Sequence, residues 1–270
     1  MGKRIVMGVV LAILFLSMMY LGRVIQTIAF TCTALWAVHE MQHVFTMKGY
    51  KPFMVPAYAF AATYAAVMYL LPDIQWVSLW MLFVICVAAE RILNGKRTTT
   101  DTFAGFGAFI YPLPFFAVLL QPSVMFGEAQ GTTALLCAFM CPLVGDTLAY
   151  FIGTFFGKHK LCPDISPKKS VEGSIASFFG SILGGVLVFV LQKFWDTTVP
   201  LSALLILGAV CGIFGQIGDL FASVIKRWSG IKDFSSIIPG HGGILDRLDS
   251  VLMCAPFVYF GFYLLNHWPR

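Results

Sequence analysis

LSALLILGAVCGIFGQIGDLFASVIKRW, residues 201–228, decides how the whole chain is read. It is apolar for most of its length, yet Asp219, Ser223, Lys226 and Arg227 follow an i, i+4, i+7, i+8 pattern and so share one helix face. If the helix starts near Leu201, Asp219 lies roughly 27 Å along it at about 1.5 Å per residue. That is close to the far edge of an about 30 Å hydrocarbon core. One stretch thus predicts both a membrane-spanning helix and a polar centre at its end.

Eight further apolar stretches frame it, at 5–22, 24–45, 55–71, 76–93, 102–121, 132–157, 174–194 and 248–266. Of 270 residues, 59% are hydrophobic and 11% charged, against about 25% charged in ordinary soluble domains. A water-soluble fold is excluded. Spans in a bilayer must satisfy their own backbone groups, so helices are expected throughout. The fold expected is an all-α polytopic membrane protein of nine transmembrane helices. Residues 1–131 are expected to form about five N-terminal spans. Residues 132–270 are expected to form a catalytic region of about four, with polar loops at 158–173 and 229–247. The N-terminal Lys3-Arg4 and its apolar run resemble a signal peptide but lack a convincing cleavage site, and read as a retained first span.

The net charge of +5 does not point to nucleic acid, because the basic residues sit between apolar runs. With the N-terminus in the cytoplasm and nine alternating spans, only Arg23, Lys193 and Arg270 fall outside, and the other fifteen of eighteen fall inside. The C-terminus is then outside. Asp73, Glu128 and Asp196 lie on the outer side, whereas the other ten acids, Glu40, Asp146 and Asp219 among them, lie toward the cytoplasm. A carboxylate in a membrane costs about 2.5–3.5 kcal/mol on insertion scales, so it needs a partner or a task. The seven cysteines show no C-x-x-C spacing, and Cys137 and Cys141, on one helix face, read as buried structural thiols.

The polar centre continues past residue 228, through Lys232-Asp233 and Pro239-Gly-His241-Gly242-Gly243 to Asp246-Arg247-Leu-Asp249. Asp246 and Asp249 are expected to open the ninth span one turn apart, where a helix N-terminus favours carboxylates. Gly242 and Gly243 let backbone approach a ligand closely. Carboxylates, a hydroxyl, clustered cations and a glycine pair together suit magnesium and a polyphosphate.

The run Ser223 to Asp249 (S-x-x-K-R, four residues, K-D, then P-x-H-G-G and D-R-x-D) resembles the signature of the phosphatidate cytidylyltransferase, or CDP-diacylglycerol synthase, family. Asp146-Thr-Leu-Ala-Tyr150, Gly157-Lys158, Ser166-Pro-Lys168-Lys169-Ser170 and Glu172-Gly173 are similar to that family's middle region. The first six spans resemble it only in hydropathy and in Glu40…Lys48-Gly49…Lys51-Pro52.

The resemblance implies that a phosphate oxygen of phosphatidic acid attacks the α-phosphorus of CTP, giving CDP-diacylglycerol and pyrophosphate. It assigns Asp219 and Asp246 to magnesium, with Ser223 a weak ligand, Asp249 orienting Asp246 or Arg247, and a second metal ion a further expectation. Lys226, Arg227, Lys232 and Arg247 are candidates for the phosphates, Lys168 and Lys169 for closure over the nucleotide, and Asp146, Asp233, Gly242 and Gly243 for substrate binding. His241 either donates to a phosphate or shapes the loop. CTP, phosphatidic acid and the lipid bilayer are the expected partners, with a homodimer suggested. The expected place is a bacterial plasma (inner) membrane with the active site facing the cytoplasm.

Two other readings compete. His39-Glu40-Met-Gln-His43 is an H-E-x-x-H, the pattern of a zinc metalloprotease, although no third ligand segment is evident. CTP-dependent polyprenol or phytol kinases share a similar membrane core but transfer the γ-phosphate. Gly208 and Gly212 form a small-xxx-small pair that packs helices either within one chain or between chains.

Overall fold

A computed structural model describes residues 2–71, 76–240 and 242–267. Asp73, His241 and Arg270, which carry expectations above, lie outside the described residues. The described residues form α1 (Gly2–Leu21), α2 (Arg23–Met47), α3 (Val55–Leu70), α4 (Trp76–Asn94), α5 (Thr99–Ile110), α6 (Leu113–Met125) and α7 (Glu128–Phe156). A two-stranded hairpin follows, β1 (Lys160–Cys162) and β2 (Ser166–Ser170). Then come α8 (Val171–Leu191), a 3-10 turn at Gln192–Trp195, α9 (Leu201–Ser229) and α10 (Leu245–His267).

Six segments among the described residues are long and apolar enough to cross a membrane: Trp76–Leu93, Thr99–Met125, Glu128–Phe156, Val171–Trp195, Leu201–Ser229 and Leu245–His267. The chain is therefore a helical integral membrane protein. Val55–Leu70 is apolar but shorter.

Two regions depart from the expectations. The span expected at 102–121 lies within the segment Thr99–Met125, but it is not one continuous helix: α5 and α6 are divided at Tyr111-Pro112. Proline has no N–H for a helical ladder, so a helix commonly stops before it. The loop at 158–173 is not wholly irregular, and to this extent the fold is not purely α. Its turn, Cys162-Pro163-Asp164-Ile165, closes with the Ile165 N–H donating to the Cys162 carbonyl at 3.2 Å, and proline at the second position suits such a turn. The strands pair antiparallel, Lys160 opposite Ser170 and Cys162 opposite Ser166. Ser170 then caps α8, its hydroxyl accepting from the Gly173 N–H at 3.1 Å.

The chain divides into two compact units, each assembled from separated stretches. The first takes the chain up to Ala117 together with Ile225–Arg247. Its core stacks Phe60 on Tyr64 and sets the edges of Phe83 and Phe109 against Phe60. Ala34, Ala37, Ala57, Ala61 and Ala65 are fully buried, and these small side chains let α2 and α3 lie close. Thr98 and Asp101 form a capping box at the start of α5. Asp101 also accepts from the Lys51 N–H at 2.6 Å, which ties the α2–α3 connection down.

The second unit takes Val118–Val224 and the chain from Leu248 onward. Glycine makes its helices pack backbone to backbone. A Cβ on Gly180 would lie 3.0 Å from Gly145 Cα, and one on Gly184 would lie 2.6 Å from Cys141 Cα, so α7 and α8 are in close register. The Gly208 and Gly212 pair faces α8 within the chain, with hypothetical Cβ atoms 2.7 Å from the Ser181 carbonyl and 3.0 Å from Phe178 Cα. Gly208→Ala must push α8 and α9 apart. It should cost about 1–3 kcal/mol, as overpacking does, read as a lower thermal midpoint of the purified protein in detergent. An unchanged midpoint would show that the helix pair is looser than this packing.

Candidate active site

α10 begins at Leu245, so Asp246 and Asp249 lie in its first turns as expected. Within the first unit Asp246 is 9% exposed and fully engaged. Its Oδ1 accepts from Lys226 Nζ at 2.5 Å, and its Oδ2 accepts from the backbone N–H groups of Phe234 at 2.8 Å and Gly243 at 2.9 Å. Lys226, equally buried, holds its ammonium 5.3 Å from the centre of the Phe234 ring. The loop between α9 and α10 is thereby wrapped around one carboxylate.

A second carboxylate holds the same loop from the other side. Glu40, on α2, is fully buried. Its Oε1 accepts from the Ser235 hydroxyl at 2.6 Å and the Ile244 N–H at 2.8 Å, and its Oε2 accepts from the Leu245 N–H at 2.8 Å. These N–H groups head α10 and lack helical partners, so the acid also caps the helix. The glycine pair is explained by the two acids. A side chain at Gly243 would collide with the Glu40 carboxylate, and one at Gly242 would sit 2.9 Å from Asp246 Oδ2. Gly242 also has φ +82°, a left-handed conformation open to glycine.

The loop borders a half-open polar cavity of about 460 Å³ lined by Lys232, Asp233, Ser235, Ser236, Ile238, Gly240, Gly242 and Arg247. Lys232, Asp233 and Arg247 are exposed. Arg227 is exposed and its Nη1 donates to the Ile231 carbonyl at 3.4 Å. The end of α9 is anchored by Trp228, which stacks on Tyr50 at 6.2 Å and receives Lys48 Nζ at 5.4 Å from its ring.

In the second unit Asp219 Oδ2 pairs with Lys169 Nζ at 2.7 Å, and both side chains remain partly exposed, at 33% and 24%. Lys169 lies on β2, so the hairpin reaches α9. The Gln216 side-chain N–H donates to the Ser174 carbonyl at 3.2 Å and joins α8 to α9. Asp249 is buried, with Oδ1 accepting from the Ser250 N–H at 2.7 Å. Ser223 is buried, while Lys168 and Asp146 are exposed.

The H-E-x-x-H does not form a metal site. His39 and His43 are exposed while Glu40 points into the core. His39 Nδ1 lies 3.4 Å from the Tyr58 hydroxyl, which donates to Gln42 Oε1 at 2.7 Å. Among the described residues, the cluster of three or more metal-ligating atoms is made of cysteines instead. Glu40 instead accepts three hydrogen bonds from the loop and the start of α10.

Each unit holds donors of the kind magnesium takes, hard carboxylate oxygens at Asp246 in the first, and at Asp219 with the Ser223 hydroxyl in the second. Each carboxylate already has a lysine at it, so each place suits a cation.

The sequence profile of the "Cytidylyltransferase family" matches residues 2–265, and the chain belongs to that family. A phosphatidate cytidylyltransferase of Bacillus subtilis (strain 168) is 33% identical over 271 residues, covering 96% of this chain and 97% of that protein. One from Staphylococcus epidermidis is 46% identical over 132 residues, 48% of this chain and 49% of that relative, so this match spans about half its length. One from Haemophilus influenzae is 35% identical over 204 residues, 73% and 69% of the two chains.

Glu40→Ala strips the acceptor from two backbone N–H groups and a hydroxyl. Each buried donor left unpaired costs about 1–3 kcal/mol. Thermal unfolding should shift down and trypsin should cleave at Lys232 faster, with Glu40→Gln intermediate. His39→Gln with His43→Gln should change neither of these nor the metal content. If Glu40→Ala unfolds and is cleaved like the unaltered protein, the loop is held by something else.

Proposed function

We propose that this chain transfers CMP from CTP to phosphatidic acid, forming CDP-diacylglycerol and pyrophosphate. The observation that carries the reading is the polar loop cavity, where Lys232, Arg247 and the backbone of Gly240 and Gly242 line one space, in a chain otherwise built to lie in lipid. A phosphatidate oxygen forms the new bond to the α-phosphorus, and the bond from that phosphorus to the bridging oxygen breaks, so pyrophosphate leaves. Little covalent work falls to the protein, and positioning with charge stabilisation suffices.

Arg247 grips phosphate through two parallel N–H groups, as a guanidinium can, and Lys232 and Arg227 add charge. Lys226 keeps Asp246 oriented while its ammonium, with three donors, faces phosphate as well. Lys168 and Lys169 close over the nucleotide from the hairpin, and Asp146 and Asp233 contact substrate. Asp219 and Asp246 are the magnesium ligands of this reading, with Ser223 accessory. Magnesium bound there would polarise a phosphate oxygen and offset charge on the leaving group.

Purified protein with phosphatidic acid, magnesium and each of the four ribonucleoside triphosphates tests the reading. CTP alone should release pyrophosphate and yield the liponucleotide. CDP as the released nucleotide would mean γ-phosphate transfer and overturn it. Asp219→Asn and Asp246→Asn should each lower turnover by orders of magnitude at limiting magnesium, with partial recovery in excess. Near-normal turnover in Asp219→Asn would shift the ligand role to Asp146.

The same proposal puts nine spans in a bacterial plasma membrane with the N-terminus and both polar loops in the cytoplasm, supported by the charge distribution of the loops. A single cysteine at position 232 in a cysteine-free background should resist an impermeant thiol reagent applied to the outer face of intact cells. Labelling there would reverse the orientation.

A further inference from the structure

Four of the seven cysteines meet inside the second unit. Cys137 and Cys141 sit one turn apart on α7, Cys211 comes from α9 and Cys254 from α10. The sulfurs of Cys137, Cys141 and Cys211 all lie within 4.8 Å of one another, and the Cys137–Cys141 separation is 3.7 Å. The Cys254 thiol adjoins that of Cys211 and donates to its carbonyl at 3.5 Å. All four are 0–1% exposed.

Packing alone does not require this convergence. Cysteine behaves as a small apolar residue in a core, and alanine or valine fills such space without bringing polarisable sulfurs together from three helices. The remaining cysteines, Cys32, Cys86 and Cys162, are exposed or half-buried. Around zinc with about 2.3 Å metal–sulfur bonds, tetrahedral geometry sets sulfur–sulfur edges of about 3.8 Å. The α7 pair already has that edge, and a side-chain adjustment of about 1 Å or less brings in Cys211, whereas Cys254, outside that group of three, must turn its sulfur from the Cys211 carbonyl to complete the set.

We propose that Cys137, Cys141, Cys211 and Cys254 form a buried site for one thiophilic divalent cation, zinc by size and charge, which staples α7, α9 and α10 together. Sulfur donors select such an ion over magnesium or calcium. Charge balances in the apolar interior when two thiols ionise, their protons pass to solvent, and the other two stay neutral, so that no net charge is buried. The site is independent of the cytidylyl-transfer reading.

The test is metal content of the full chain, purified in detergent after exposure to zinc or cadmium and then freed of unbound ion by gel filtration. The unaltered protein should retain one ion per chain, release about two protons on loading, show the ultraviolet thiolate-to-cadmium absorbance, and unfold at a higher temperature when loaded. Cys32→Ser/Cys86→Ser/Cys162→Ser should behave identically. Cys141→Ser/Cys211→Ser should retain under a tenth of an equivalent. Should that variant elute as aggregate, Cys254→Ala and Cys137→Ala alone should each weaken binding tenfold or more while eluting as the unaltered protein does. The proposal fails if the unaltered protein holds under a tenth of an equivalent, if the folded cluster variants hold as much as it does, or if thiol titration finds the four cysteines oxidised in pairs.

Discussion

Charge that leaves water must be met by an opposite charge or by hydrogen bonds, and in the first unit this requirement organises the loop between the last two helices. Glu40, Asp246 and Lys226 are each no more than 9% exposed. An unpaired ion there would cost several kcal/mol, more than most single side chains contribute to stability. Lys226 answers one oxygen of Asp246 directly. The remaining acceptor sites of the two acids are answered by the loop itself, through the N–H groups of Phe234, Gly243, Ile244 and Leu245 and the Ser235 hydroxyl. A loop rich in turn residues would ordinarily be mobile. Here its backbone is the solvent of two buried carboxylates, and that holds Lys232 and Arg247 around one cavity.

The same requirement explains which parts were legible from residue types. Apolar runs reveal helices because a bilayer permits little else, and the four helices from α7 to α10 lie where their runs predict. The division at Tyr111-Pro112 escaped because an apolar count is blind to a missing N–H, although Pro112 and Pro114 mark the place. The hairpin escaped because its short strands carry lysines and no alternating pattern, yet Cys162-Pro163-Asp164-Ile165 is a recognisable turn. The site residues were named by motif, while their pairings were not. Lys169 with Asp219 and Lys226 with Asp246 join positions 50 and 20 residues apart, and only tertiary structure brings such side chains together. Glu40 was marked as an acid within an apolar run and as the head of the Glu40…Lys48-Gly49…Lys51-Pro52 pattern. Its place inside an H-E-x-x-H drew attention to the histidines, which face outward.

Glycine has two separate tasks in the chain. Between α7, α8 and α9 it removes side chains so that backbones meet, the usual means of holding helices where lipid offers no hydrophobic drive. At Gly242 and Gly243 it removes side chains so that carboxylates meet backbone N–H groups. The glycine pair is therefore needed before any ligand arrives, and a larger residue there would disturb the acids first.

The pattern of acceptors on Asp246 also limits how it can hold a cation. Oδ2 is committed to two backbone donors, and releasing it would free the loop at Phe234 and Gly243. Oδ1 instead faces a side chain, the Lys226 ammonium. A cation of the kind proposed for Asp246 would therefore meet one carboxylate oxygen rather than two, and would share that oxygen with the lysine. One oxygen per carboxylate suits magnesium, which binds through one or two carboxylates, substrate phosphates and retained waters. It suits calcium less, since that ion often takes both oxygens of a carboxylate. Asp219 is paired with Lys169 in the same way, but that pair is partly exposed, so water shares in screening it and less of the structure depends on it.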